Sequence, residues 1–209
     1  MSTIRITHHG QTEVCQARRC GKSRYSRAVA LTATIYTFDI QLTDVERGVY
    51  EALNLTVARH PSETEEYLLT RVLAYCLEYA DGIGFSSGLS DPEEPAVAVR
   101  DLTGSIRTWI DIGSPDAARL HKAGKAAPRV VVYTHKDPAQ LLRQWSGERI
   151  HRENELEVYS FDPAFISELT TRLGRRMAFT LTVSRPDVYI TFGETVVEGT
   201  RRQHALQAR

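Results

Sequence analysis

Two stretches of the chain are patterned as β-hairpins. From Leu31 to Leu42 the residues are mostly β-branched or aromatic. A polar turn, Asp44 to Gly48, then leads to a second such run from Val49 to Val57. The other pair is Val97 to Val99 and Ile106 to Ile112, joined by Asp101-Leu102-Thr103-Gly104. Asp supplies local backbone hydrogen bonds in such a turn and Gly accepts positive φ. Ile106, Thr108, Ile110 and Ile112 share one phase of the extended chain, and Arg107, Trp109 and Asp111 share the other. Between the hairpins the period becomes helical. Leu69, Val72, Leu73, Cys76 and Leu77 fall on one face, with Asp81-Gly82 as the stop. Ser62 reads as the N-cap, and Glu65 completes a capping box.

Downstream, a helix runs from Asp116 to Ala126 before Pro128, then a strand from Arg129 to Tyr133. A helical crossover between strands predicts parallel pairing. Asp137-Pro138 opens a helix to Trp145, Leu156 to Phe161 is a strand, and Pro163 to Arg175 is a helix with Phe165, Ile166, Leu169 and Leu173 inward. Met177 to Val183 and Val188 to Val197 read as a terminal hairpin, and Thr200 to Arg209 as a frayed tail. Leu69, Leu73, Ile110, Val131 and Leu169 are predicted to share one core. No repeat or low-complexity linker interrupts the chain, so residues 29–200 form one α+β or α/β domain.

Charge changes this picture at one end. The formal net charge is zero, yet residues 1–28 carry +5 and residues 29–209 carry −5. The first 28 residues also lack periodic apolar positions. They are expected to be a disordered extension or a mis-assigned start, with a basic arm that touches nucleic acid as the alternative. The acidic body argues against nucleic-acid binding through net charge but leaves room for a local basic groove. No run approaches the roughly 18 apolar residues of a membrane span. Three cysteines, Cys15, Cys20 and Cys76, show no C-x-x-C spacing. That usage fits a reducing, cytoplasmic setting, with Cys76 as a buried thiol.

The chemistry on offer is carboxylate chemistry. There is no G-x-S-x-G, P-loop, G-x-G-x-x-G, H-E-x-x-H or Cys/His metal cluster. His60, before Pro61, reads as a structural hydrogen-bonding histidine. Glu63, Glu66, Glu94, Asp101 and Asp111 surround the predicted core, followed by Lys122 and Lys125. Oxygen ligands from several elements suit Mg²⁺, and a metal-activated water with a lysine nearby would cleave a phosphodiester. The plainer alternative makes Glu63 and Glu66 helix-dipole partners and Asp111 a surface acid on a half-buried strand.

Arg59-His-Pro-Ser-Glu-Thr64, Gly88-Leu-Ser90, Asp101-Leu-Thr-Gly104, Trp109-Ile-Asp-Ile-Gly113 with Pro115-Asp116, and Val130-Val-Val-Tyr-Thr134 together resemble the YaeQ family of bacterial proteins. The resemblance spans roughly residues 30–200. It implies a fold related to the PD-(D/E)XK nucleases: a mixed central sheet flanked by helices on an αβββαβ core, here with extra β-hairpins. It implies no settled activity. Laid on this chain, the nuclease glutamate falls at Glu63 or Glu66, the Pro-Asp at Pro95-Ala96, and the (D/E)-x-K at Asp111-Ile112-Gly113. Ala96 and Gly113 therefore depart from the pattern. Glu94 or Asp101 would have to replace the missing acid, and Lys122 the missing base. The implied catalytic set is Glu63, Glu66, Asp101, Asp111 and Lys122, with Glu63, Asp101 and Asp111 as ligands of a weakly held Mg²⁺. Three readings follow: a degenerate site that binds nucleic acid or a protein partner without efficient cleavage, an Mg²⁺-dependent nuclease, and a non-catalytic cytosolic domain.

Overall fold

The computed structural model describes residues 33–86 and 93–206. The N-terminal extension and the Gly88-Leu89-Ser90 segment lie outside that range. Four helices pack on a mixed ten-stranded sheet. The strands are β1 (Thr34–Asp44), β2 (Val49–Arg59), β3 (Ile83–Phe85), β4 (Val97–Arg100), β5 (Ile106–Ile112), β6 (Arg129–Thr134), β7 (Glu157–Phe161), β8 (Arg176–Ser184), β9 (Asp187–Phe192) and β10 (Thr195–His204). The helices are α1 (Glu65–Leu77), α2 (Ala117–Ala126), α3 (Pro138–Trp145) and α4 (Pro163–Thr171). None is long and apolar enough to cross a membrane. The strand order is β2-β1-β8-β9-β10-β7-β6-β5-β4-β3.

Both predicted hairpins form. β1 pairs antiparallel with β2, and β4 with β5. β5 and β6 are parallel across the α2 crossover, as that connection requires. The expected terminal hairpin is a three-stranded meander instead: Gly193, with φ +57°, turns the second run back on itself between β9 and β10. The expected fraying from Thr200 is also corrected. Thr195–Thr200 pairs with β9, and Arg201–His204 then pairs with β7. One strand thus joins the two halves of the sheet. Polar side chains hid this, because a ladder is built from backbone groups and needs no apolar pattern where neither face is deeply covered.

Two apolar layers hold the fold. Leu69, Leu73, Ile110, Val131 and Leu169 all lie in the larger one, under α1 and α4. The smaller one, on the other face of the β5–β6 region, contains Trp109, Leu120, Leu141 and Trp145. Strand β6 feeds both by alternation, Val131 and Tyr133 to one and Val130 and Val132 to the other. Because both faces are covered, β5 is not half-exposed, and Asp111 is only 2 % accessible rather than a surface acid. Cys76 is buried in α1, and burial pushes its thiol up to about 12, which keeps it protonated and unreactive.

Candidate functional site

The start of α1 is set two residues later than the Ser62 capping box predicts. Thr64 is the N-cap, and its hydroxyl accepts from the Tyr67 backbone N–H at 3.2 Å. Ser62 instead belongs to a turn, where His60 Nδ1 lies 2.6 Å from its hydroxyl. This is the structural role expected of His60. Glu63 closes the same turn: its Oε2 accepts from the His60 backbone N–H at 3.0 Å, and its N–H donates to the His60 carbonyl at 2.9 Å.

The N-terminal end of α1 and the C-terminal ends of β5 and β6 enclose a cleft of about 440 Å³. Glu63, Tyr67, Arg71, Asp111, Arg119 and Lys136 line it. Two of its acids, Asp111 and Glu63, are held by guanidinium groups. Arg119, on the first turn of α2, donates to both Asp111 oxygens, through Nη2 at 2.8 Å and Nε at 2.9 Å. The Trp109 indole N–H adds a third bond to Asp111 at 2.9 Å. Arg71 spans Glu63 with contacts of 3.3 and 3.4 Å and donates to the Ala58 carbonyl at 2.7 Å. Burial opposes the Arg119 charge, but the bonds and charge of Asp111 outweigh it and hold the guanidinium above its usual range. Tyr67 stands between the two pairs. Burial, reinforced by the neighbouring carboxylates, pushes its hydroxyl up to about 12.

Of the residues the sequence singles out, Glu63, Glu94 and Asp111 line this cleft. Ala96 lines it too, so the position of the missing acid faces the same space. Glu66 starts α1 but is not part of the lining. Its carboxylate accepts from its own backbone N–H and the Thr64 hydroxyl, which lowers its pKa. Asp101 lies at the other end of the β4–β5 hairpin. It accepts from Thr103 and Ser105 backbone N–H groups and pairs with Arg107 at 2.9 Å. Lys122 projects from α2 to an ion pair with Glu93.

Glu63, Asp101 and Asp111 are therefore not gathered as a ligand set. Among the described residues no three His, Cys, Asp or Glu side chains are placed to hold a metal ion. The oxygens of Asp111 and Glu63 already accept from arginine donors, so a divalent ion would have to displace a guanidinium from each. The donor set does not fit Mg²⁺.

Arg71 and Arg119 are what sequence reasoning missed. A signal existed for Arg71. It stands between Thr70 and Val72 in a helix stretch that buries nearly all its side chains, and a buried charge demands a partner. Arg119 carried no such signal, since it sits on the polar side of a short helix and finds Asp111 only through the crossover.

The described chain is thus an α+β protein on one mixed sheet, with a polar cleft at the C-terminal ends of the parallel strands β5 and β6. It belongs to the YaeQ family: the family model "YaeQ protein" matches residues 29–200. It is 32% identical over 165 residues to the uncharacterised YaeQ protein of Escherichia coli K12, covering 78% of this chain and 91% of that one. The crystal structure of the YaeQ protein from Xanthomonas axonopodis pv. citri matches with a TM-score of 0.75 at 31% identity, over 84% of this chain and all of that one. The YaeQ protein from Pseudomonas syringae also gives 0.75, at 28% identity over 85% and 97% of the two chains.

Proposed function

We propose that this chain is a non-cleaving binding module on a nuclease-type core, and that its cleft takes a phosphate of a nucleic-acid strand. The element order α1-β3-β4-β5-α2-β6 supports that core, since it repeats the αβββαβ succession. The observation that carries the reading is the neutralisation of Asp111 by Arg119 and of Glu63 by Arg71. In a metal-dependent nuclease, clustered carboxylates repel the substrate phosphate until cations bridge them. Here each of these two carboxylates carries its own cation, and Lys136 stands exposed at the cleft without an ion pair among the described residues. An anion can then enter without a metal. The missing amine of the (D/E)-x-K pattern also has a backbone cause. Gly113 holds φ +84°, a conformation lysine adopts only under strain.

The test is fluorescence anisotropy with labelled DNA and RNA oligonucleotides, in EDTA and in Mg²⁺ or Mn²⁺, with the products run on a gel. Binding should persist in EDTA, weaken steeply with salt, and fall in Lys136→Ala, with no cleavage in any condition. Metal-dependent cleavage abolished by Asp111→Asn would restore the nuclease reading. Absence of binding in EDTA would leave a protein as the partner.

A further inference from the structure

At the opposite end of α1, whose thirteen residues span about 20 Å, four arginines line a second pocket of about 370 Å³. They are Arg47, Arg129, Arg185 and Arg201, and among the described residues Glu78 is the only carboxylate in the lining. Three of them are anchored from behind. Arg47 bonds Asp44 at 2.6 Å and caps the end of α1 through the Tyr79 and Cys76 carbonyls. Arg185 reaches Asp44 at 3.2 Å and Glu46 at 3.3 Å. Arg129 bridges Glu157 and Glu78, both at 2.6 Å. Asp44, Glu46 and Glu157 lie outside the lining, and Glu78, which Arg129 also bridges, lies within it.

Arg201 differs from the other three. It is the residue at which β10 leaves β9 and begins to pair with β7. No carboxylate among the described residues is within ion-pair distance of it. Its guanidinium lies over the Tyr159 ring, 4.4 Å from the centroid, and Nη1 donates to the Tyr133 hydroxyl at 3.2 Å. That hydroxyl in turn donates to Glu78 at 2.7 Å. Ring and hydroxyl fix the guanidinium while leaving most of its N–H donors without a protein acceptor among the described residues. A cation ordered before its partner arrives loses little further entropy on binding.

We propose that this pocket binds the phosphoryl group of a small phosphomonoester, with Arg201 as the principal contact and Arg185 at the rim. A monoester dianion has three terminal oxygens, which match several convergent guanidiniums better than a diester with two. The volume admits a phosphoryl group with a body of a few further atoms. This site is separate from the α1 N-terminal cleft and does not depend on the reading of that cleft.

The experiment is calorimetric titration of the full chain at constant ionic strength with inorganic phosphate, glycerol 3-phosphate and dimethyl phosphate in turn. Saturable binding of the first two and weaker binding of the diester are expected. Glycerol 3-phosphate tighter than inorganic phosphate would show that the pocket reads the ester body, and the reverse that it takes free phosphate. Arg201→Gln and, separately, Arg185→Gln should each weaken binding roughly tenfold or more, the effect of losing a charged hydrogen-bond donor. Urea unfolding of both variants establishes that they fold. Should Arg201→Gln not fold, the Arg185 variant and the shift of arginine Nε–H resonances in the parent decide the matter. Equal affinity in parent and variants, or no saturable binding of either monoester, overturns the proposal.

Discussion

Asp111 and Arg119 are joined side by side, with both carboxylate oxygens engaged by one guanidinium at 2.8 and 2.9 Å, and with Asp111 almost wholly buried. This geometry predicts the sign of a stability change. A catalytic acid crowded by other acids is repelled by them, so removing its charge stabilises the fold. A buried acid paired with arginine is the reverse, because its loss leaves an uncompensated guanidinium. Asp111→Asn should destabilise the protein, by less than the about 3–5 kcal/mol of breaking a fully buried pair, because the Arg119 side chain stays 23 % exposed. Denaturant unfolding measures it. A rise in stability would mean that Asp111 is strained by neighbouring carboxylates, as in a catalytic cluster.

The helix start gives a second sign test. Thr64 caps α1 and Ser62 does not. Thr64→Ala should therefore cost about 1 kcal/mol, the usual value of a cap. Ser62→Ala should cost appreciably less, because its hydroxyl serves only the turn that holds His60. Equal costs would place the cap at the position the capping-box pattern suggested.

That difference shows what was legible in the sequence. The hairpins, the α1 face and the parallel crossover were readable because apolar periodicity reports which side of an element is covered. The cap was not, because Ser62 and Thr64 carry the same chemistry two residues apart. Only the turn closed by Glu63 and His60 decides between them. The site was half legible. Glu63, Ala96 and Asp111 were placed by the family pattern, and they line one cleft. Of their partners, Arg71 is marked only as a cation inside a buried helix stretch, and Arg119 is not marked at all, because ion pairing across elements leaves no local signature. Asp101 shows the converse: an acid in a turn looks available for chemistry, while one of its oxygens is taken by the turn and the other pairs with Arg107.

The seam of the sheet depends on a residue without a side chain. A Cβ on Gly199 would lie 2.4–2.6 Å from three ring atoms of Phe165, a buried residue of α4. Either β10 or α4 must then move. Gly199→Ala should destabilise by about 1–3 kcal/mol through overpacking. Combining it with Phe165→Leu should recover part of the loss relative to the sum of the two single changes, which a double-mutant cycle measures. Strict additivity would show that the two do not meet.

The last prediction concerns acid. His135 packs beside α1, with Thr70 3.3 Å from its ring and Lys136 and Glu66 as its charged neighbours. Burial, then Lys136, lowers its pKa, against a smaller opposing effect of Glu66. Burial, then Arg202, lowers that of His204, whose Nε2 lies 2.7 Å from the Ser160 hydroxyl. In the unfolded chain both return to about 6.5. Below that pH the unfolded state binds more protons than the folded one, so stability is full above about pH 6.5 and falls as the pH drops towards the folded values. A second loss follows at lower pH. For Asp44 and Glu157 burial acts to raise the pKa, but the bonds and charges of Arg47 and Arg129 pull each below its ordinary value. Their contribution holds above the ordinary carboxylate range and is lost as the pH falls from that range through their lowered folded values. Urea unfolding at a series of pH values should therefore show two descending steps, the upper of them reduced in His135→Gln. Stability that is flat or rising between about pH 6.5 and 5 would mean that these histidines gain protons as readily folded as unfolded.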